Sequence, residues 1–270
     1  MKLEYTRIIL TGAASGIGRA VLAELAAYPV RIIAVDRDQA NLTSSCEEIR
    51  RETVPSTGSV NADITAYVCD LSQEAEVDGL FDHAIVEMGG VDLFIANAGF
   101  AYYEKLDSAD WTHLERIYQV NVFSPIYAAV KMQELNEKRP YKVVMTASGM
   151  GLVALPGYAI YSSTKAALDR FAEGYRLELD DPSTLTLVYP IGTKTHFFDA
   201  ANAAPQPWPT QTAVTVAQAI IHGILHDTPT VYPSRTFRAF LGLDRYLPFM
   251  RRIEQRLEKR RFETWLTQQA

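Results

Sequence analysis

The chain has 270 residues, 48% of them hydrophobic and 21% charged, a balance that fits an ordinary globular protein with a sizeable core. Its formal net charge of -6 argues against a general nucleic-acid binder, which needs a positive surface to meet phosphates, and makes small-molecule chemistry the better expectation. Two cysteines, Cys46 and Cys69, stand in no metal-like spacing, so neither a disulfide framework nor a structural zinc is expected and a reducing cytoplasm fits best.

The first apolar run, from Arg7 to Leu10, meets Gly12 too soon for a signal peptide, and no apolar stretch is long enough to span a bilayer. Short runs rich in branched residues then alternate with longer helix-patterned segments. Strands are expected at Arg7 to Leu10, Val30 to Val35, Thr65 to Cys69, Leu93 to Ala96, Lys142 to Ala147 and Thr184 to Tyr189, with a weaker seventh at Thr230 to Tyr232. Helices are expected near Gly16 to Ala27, Gln39 to Glu52, Glu74 to Met88, Trp111 to Glu137 and Ala159 to Leu179. The polar stretch Thr53 to Asp63, with Pro55 and Gly58, reads as a surface loop. This order implies an α/β fold: a doubly wound, Rossmann-type parallel sheet flanked by helices, a single domain over residues 1–234 with a C-terminal helical extension over residues 235–270. Ligands then belong in the crevice beyond the carboxyl ends of the strands.

The first strand runs into Thr11-Gly12-Ala13-Ala14-Ser15-Gly16-Ile17-Gly18, and a helix pattern follows at once. Glycines there permit positive φ, let backbone approach a pyrophosphate, and turn helix N-terminal amides toward its oxygens. Asp36 closes the second strand about twenty residues on, where an acid accepts hydrogen bonds from an adenosine ribose and repels a 2′-phosphate. NAD is therefore expected ahead of NADP, with adjacent Arg37 the feature that pulls the other way.

With these motifs the chain resembles the short-chain dehydrogenase/reductase family, whose T-G-x-x-x-G-x-G fingerprint Thr11 to Gly18 matches without a gap. The resemblance runs from about Arg7 to Thr195. It implies that Gly12, Ser15, Gly16, Ile17, Gly18, Asp36 and Arg37 hold the dinucleotide, that Asp70 and Leu71 lie beside adenine, and that Asn97-Ala98-Gly99 forms the turn supporting the sheet next to the coenzyme. It also implies a catalytic set of Asn121, Ser148, Tyr161 and Lys165. Pro190-Ile191-Gly192-Thr193-Lys194-Thr195 departs from the family pattern, since Ile191 stands where glycine is usual; carboxamide contacts are then expected from Pro190, Ile191 and Thr193, with Thr195 less firmly assigned.

Tyr161 and Lys165 are four apart in a helical segment and so share one face. A free tyrosine titrates near pH ~10, so the Lys165 charge is expected to favour the phenolate, making Tyr161 the general acid/base of hydride exchange between a hydroxyl or carbonyl compound and NAD(H). By the resemblance, Lys165 also bonds the nicotinamide ribose and Tyr161 borders the ring. Ser148, just past the fifth strand, can polarise a carbonyl, although serine is also a common cap; Asn121 is assigned a proton relay through water to Lys165 by the resemblance. No metal is expected: His222 and His226 share a helix face without a third ligand. The competing readings are a catalytically inactive dinucleotide sensor or scaffold, against which the complete set of four argues, and a nucleotide-sugar epimerase, whose relatives are longer and differ in glycine spacing.

Phe197, Phe198 and Trp208 make the substrate segment apolar, which favours a hydrophobic alcohol or ketone. The resemblance implies a homodimer or homotetramer through the Trp111 and Tyr161 helices. Between Arg235 and Arg261 nine Arg or Lys face three acids, a local excess of +6 that leaves -12 on the rest. Ile253 and Leu257 follow helical spacing there; the stripe is expected to pack on the protein's own core or a neighbouring subunit, with contact to an anionic membrane the alternative.

Overall fold

The computed structural model describes residues 1–4, 6–53, 62–137, 139–247 and 249–269. Ile8, Ile9 and Leu10 of β1 (Arg7–Thr11) are fully buried, and their alternation feeds two layers at once. Ile8 and Leu10 meet α1 (Gly16–Leu25) and α8 (Ala213–Leu225) on one face, whereas Ile9 faces α3 (Glu74–Met88), α5 (Ser124–Leu135) and α6 (Ala159–Glu178) on the other. Strands β2 (Arg31–Asp36), β3 (Asp63–Val68), β4 (Leu93–Ala96), β5 (Lys142–Thr146), β6 (Leu185–Val188) and β9 (Thr230–Val231) complete a seven-stranded parallel sheet in the order β3-β2-β1-β4-β5-β6-β9. Leaving β3, the chain crosses back over β1 to form β4, so the winding reverses between β1 and β4 and opens a crevice at their carboxyl ends. The doubly wound architecture is the one the residue pattern implies.

Differences lie mainly in detail and in the later part of the chain. The helix expected from Trp111 to Glu137 is two helices, α4 (Trp111–Tyr118) and α5, joined by a π-helical turn at Gln119–Phe123. A single wide turn leaves the apolar spacing almost unchanged, so periodicity does not reveal it. A short pair, β7 (Gly192–Lys194) and β8 (Thr210–Thr212), with α7 (Phe197–Ala200) between them, was not foreseen either. Helix α2 (Gln39–Glu52) stands as expected, and the loop read at Thr53 to Asp63 lies largely outside the described residues.

The chain ends in α9 (Arg235–Asp244) and α10 (Phe249–Gln269). Phe262 and Trp265 of α10 pack edge-on against Tyr103, with ring centroids 5.2 and 4.8 Å apart, and Gln255 Nε2 donates to the Ala154 carbonyl at 3.0 Å. Of the two places expected for the Ile253 and Leu257 stripe, this chain's own core is not the one it takes, since these residues are 51% and 54% exposed. Among the described residues no helix is long and apolar enough to cross a membrane.

Candidate active site

The turn after β1 is built where only glycine fits. Gly12 and Gly16 hold φ of +70° and +55°, and a Cβ on Gly18 would sit 1.8 Å from the Gly12 carbonyl oxygen. Gly18 thus lets α1 close down on the strand behind the cradle. Ser15, at the N-cap of α1, is extended and makes no side-chain capping bond, so the amides of the first turn face the crevice with the positive end of the helix. An added Cβ at Gly12 would lie 2.9 Å from Ala98 Cα, so the Asn97-Ala98-Gly99 turn presses on the glycine turn from the neighbouring strand. Thr11 ties the two: its hydroxyl donates to the Ile95 carbonyl at 3.2 Å and accepts from the Asn97 and Ala98 amides at 3.0 and 3.1 Å. Asp36 accepts from the Ala14 amide at 3.1 Å and, through its other oxygen, from the Asp38 amide at 3.1 Å, fixing the acid beside the turn. This narrow, amide-lined cradle fits the pyrophosphate and ribose of a dinucleotide.

A cavity of about 460 Å³ extends from that cradle along the strand ends. Gly12, Ser15, Gly16, Ile17, Asp36, Arg37, Asp70, Leu71, Asn97, Ala98 and Gly99 line one part; Ser148, Tyr161, Lys165, Pro190, Ile191 and Thr193 line the next. Thr195 also borders it and lies against Gly16, where an added Cβ would come within 3.2 Å of its methyl.

Helix α6 delivers Tyr161 and Lys165 one turn apart, both buried. The Lys165 ammonium lies 5.8 Å from the Tyr161 ring centroid and donates to the Thr146 carbonyl at the end of β5 at 2.8 Å. Ser148 follows β5, caps a short 3-10 turn by accepting from the Met150 amide at 3.1 Å, and faces Tyr161. The cap is thus observed, and the same side chain borders the cavity. Burial pushes the Tyr161 phenol up to about 12, opposed by hydrogen bonding from Ser148, and pushes the Lys165 ammonium down to about 8. In the chain by itself burial is the largest influence on the Tyr161 phenol and raises it, with the Ser148 hydroxyl acting in the opposite direction.

Asn121 sits on the π turn, outside the cavity wall. Its Oδ1 accepts from the Phe100 amide at 3.1 Å, while Nδ2 donates to the Phe100 carbonyl at 2.9 Å and to Thr164 Oγ1 at 3.1 Å. The side chain is therefore occupied in holding the segment after Gly99, next to Lys165, and makes no direct bond to Lys165. Among the described residues no cluster of metal-ligating side chains occurs; His222 and His226 stack on each other with centroids 4.0 Å apart.

Sequence reading missed Thr146, Thr164 and Glu254. Thr146 and Thr164 act through ordinary hydrogen bonds that no spacing announces. Glu254 belongs to α10, more than 80 residues beyond Lys165, yet it lines the cavity, and its buried Oε2 has no partner among the described residues. Phe237 of α9 closes the same end, lying over Gly149, where an added Cβ would come within 2.9 Å of its ring.

A family model described as short chain dehydrogenase matches residues 6–206. The 3-ketodihydrosphingosine reductase of Bos taurus is 26% identical over 258 residues, covering 92% of this chain and 74% of that protein. The 3-dehydrosphinganine reductase of Danio rerio is 26% identical over 204 residues, or 75% of this chain and 60% of its own length. Among solved structures, a short-chain dehydrogenase/reductase of Burkholderia phymatum in complex with NAD superposes with a TM-score of 0.77 at 22% identity, covering 92% of this chain and 96% of that one. A short-chain dehydrogenase of Sphingobium yanoikuyae in complex with NADPH gives 0.74 at 22% identity, covering 90% and 94%. These two share the fold. With the family match spanning most of its length, the chain belongs to the short-chain dehydrogenase/reductase family of NAD(P)-dependent oxidoreductases.

Proposed function

We propose that the chain interconverts an apolar secondary alcohol and its ketone with NAD(H) as coenzyme, and that Tyr161 moves the proton. The observation that carries this reading is the buried group of Ser148, Tyr161 and Lys165, opening into one cavity with the glycine cradle and Asp36. The coenzyme supplies or accepts the hydride. Ser148 holds and polarises the substrate oxygen, and the protonated Tyr161 donates to that oxygen as negative charge develops on it. Lys165, anchored on Thr146, keeps its charge beneath the phenol and faces the ribose side of the cradle. Asn121 acts by positioning the Phe100 backbone. Water is excluded by Met150, Leu155, Phe198 and Phe237, whose apolar surface selects a hydrophobic substrate. The ketone that names the two reductases above, 3-ketodihydrosphingosine, also called 3-dehydrosphinganine, is the first to try.

The carboxylate of Asp36 supports NAD over NADP, because a 2′-phosphate would meet its charge. Two free, buried cysteines agree with a reducing cytoplasm. Exposed Trp111 and Phe123 on α4 and the π turn support a homo-oligomer through that face.

A panel of ketones and alcohols with both coenzymes, read by absorbance, tests the reading. Tyr161→Phe is expected to lower kcat at least ~100-fold while the coenzyme Kd, from fluorescence titration, stays within a few fold. Substantial turnover in that variant would remove Tyr161 from its role.

A further inference from the structure

We infer that the outer face of the C-terminal extension docks on an anionic phospholipid bilayer, with the mouth of the substrate cavity beside it. This goes beyond the proposed reaction and does not require it. Helix α10 has two contrasting sides. Its inner side carries Glu254, Phe262 and Trp265 toward the cavity and Tyr103, so that side is fully used. On its outer side two rows run next to each other, each with a four-residue step: Phe249, Ile253 and Leu257, and Arg252, Arg256 and Arg260. A step of four keeps side chains on one helical face, so apolar groups and guanidinium groups lie interleaved on one exposed surface.

The preceding segment extends the same composition. Leu243, Tyr246 and Leu247 are 50%, 78% and 41% exposed, and Arg245 is exposed among them. Among the described residues Arg245, Arg252, Arg256 and Arg260 have no ion-pair partner, whereas Arg251 and Arg261 are paired inward with Asp244 and Glu258. Large apolar side chains left in water beside free cations form the pattern of an interfacial helix, in which the apolar groups enter the acyl boundary and the arginines meet lipid phosphates and carboxylates.

Charge selects this occupant. The chain is acidic as a whole, yet residues 235–261 carry an excess of +6. A second copy meeting it through the same face would bring the same positive charge and be repelled, whereas an anionic surface is attracted by it. Phe237 and Glu254, which line the cavity, stand on the two helices that carry this face, and the cavity rim includes Trp208, 75% exposed. A docked molecule would therefore hold its cavity mouth near the lipid, where an apolar ketone or alcohol is concentrated.

Flotation of the full chain with phosphatidylcholine vesicles containing about 30% phosphatidylserine, and with pure phosphatidylcholine, tests the inference. Binding is expected to the anionic vesicles alone and to weaken as salt is raised. Arg252→Glu/Arg256→Glu/Arg260→Glu should weaken it on the order of 100-fold or more, from the loss of several charges each contributing severalfold. Ile253→Ser/Leu257→Ser should also release the protein. Unchanged coenzyme binding in both variants reports an intact fold, since neither touches the cradle. No binding to anionic vesicles, or equal binding to both kinds, overturns the inference. So does a wild-type dimer in ultracentrifugation that Ile253→Ser/Leu257→Ser converts to monomer, which would give this face to a second copy. None of these readouts depends on turnover, so a failure here is distinct from a failure of the proposed reaction.

Discussion

Lys165 is buried deeply enough that its charge works against the folded state. Its ammonium titrates at about 8 in the native chain against 10.5 when free, so near pH 7 both states hold the proton and the native one bears the full desolvation cost. As pH rises from about 8 toward 10.5 the native lysine releases its proton first, and folding stability from this group rises through that window. The shift corresponds to roughly 3 kcal/mol, reduced by about 1 kcal/mol for the bond to the Thr146 carbonyl. Lys165→Met should therefore be inactive but more stable than the wild type by about 2 kcal/mol at pH 7, with the gap narrowing at pH 9.5. Urea midpoints at the two pH values decide it, and a variant less stable at pH 7 would show that the carbonyl bond dominates. The same burial explains why Tyr161 and Lys165 were legible as a pair but not as an ionisation state. Their spacing of four is printed in the sequence, whereas the dielectric around them is set by α6 packing on β5 and by residues from distant parts of the chain.

At the scale of elements, legibility followed how local each constraint was. Gly12, Gly16 and Gly18 were readable because a strand-to-helix turn of this tightness restricts residue type directly. The paired substitutions Gly18→Ala and Gly174→Ala put that to the test. Alanine at Gly18 would drive its Cβ into the Gly12 carbonyl, and coenzyme affinity should fall at least ~10-fold with a lower Tm. Alanine at Gly174, exposed near the C-terminal end of α6 with no atom within 4 Å of the added Cβ, should instead stabilise by about 0.5–1 kcal/mol. Thermal melts and coenzyme titrations of both variants check the opposite signs. Helix α10 was readable as a helix but not in its orientation. It has apolar residues on both sides, Phe262 and Trp265 on one, Phe249, Ile253 and Leu257 on the other, and the choice is made by Tyr103 some 160 residues upstream. For the same reason Glu254 looked like one charge in a solvated run, although it reaches the cavity. The π turn at Asn121 was hidden because it adds one residue to a helical turn without breaking the hydrophobic pattern.

For the whole molecule, the exposed apolar patch at Trp111 and Phe123, 80% and 57% exposed, bears on assembly. A dimer or tetramer is the expected sedimenting species, and Phe123→Asp should shift it toward monomer with the coenzyme site intact; a monomeric wild type would leave this surface without its proposed role. The sheet order has a different consequence, in the timing of synthesis. Strand β1, made first, ends in the middle of the sheet: β2 covers one of its edges early, but β4, which pairs Leu10 with Ile95 on the other edge, comes 82 residues after Thr11, at Leu93. At ~5–20 residues per second the ribosome takes roughly 4–16 s to cross that gap. For that interval the half-sheet β1-β2-β3 presents an unpaired parallel edge of Ile8, Ile9 and Leu10, the kind of strand that recruits other nascent chains. The β1 residues that later pair with β4, beside the crevice, are therefore the ones that most need shielding while the chain is being made.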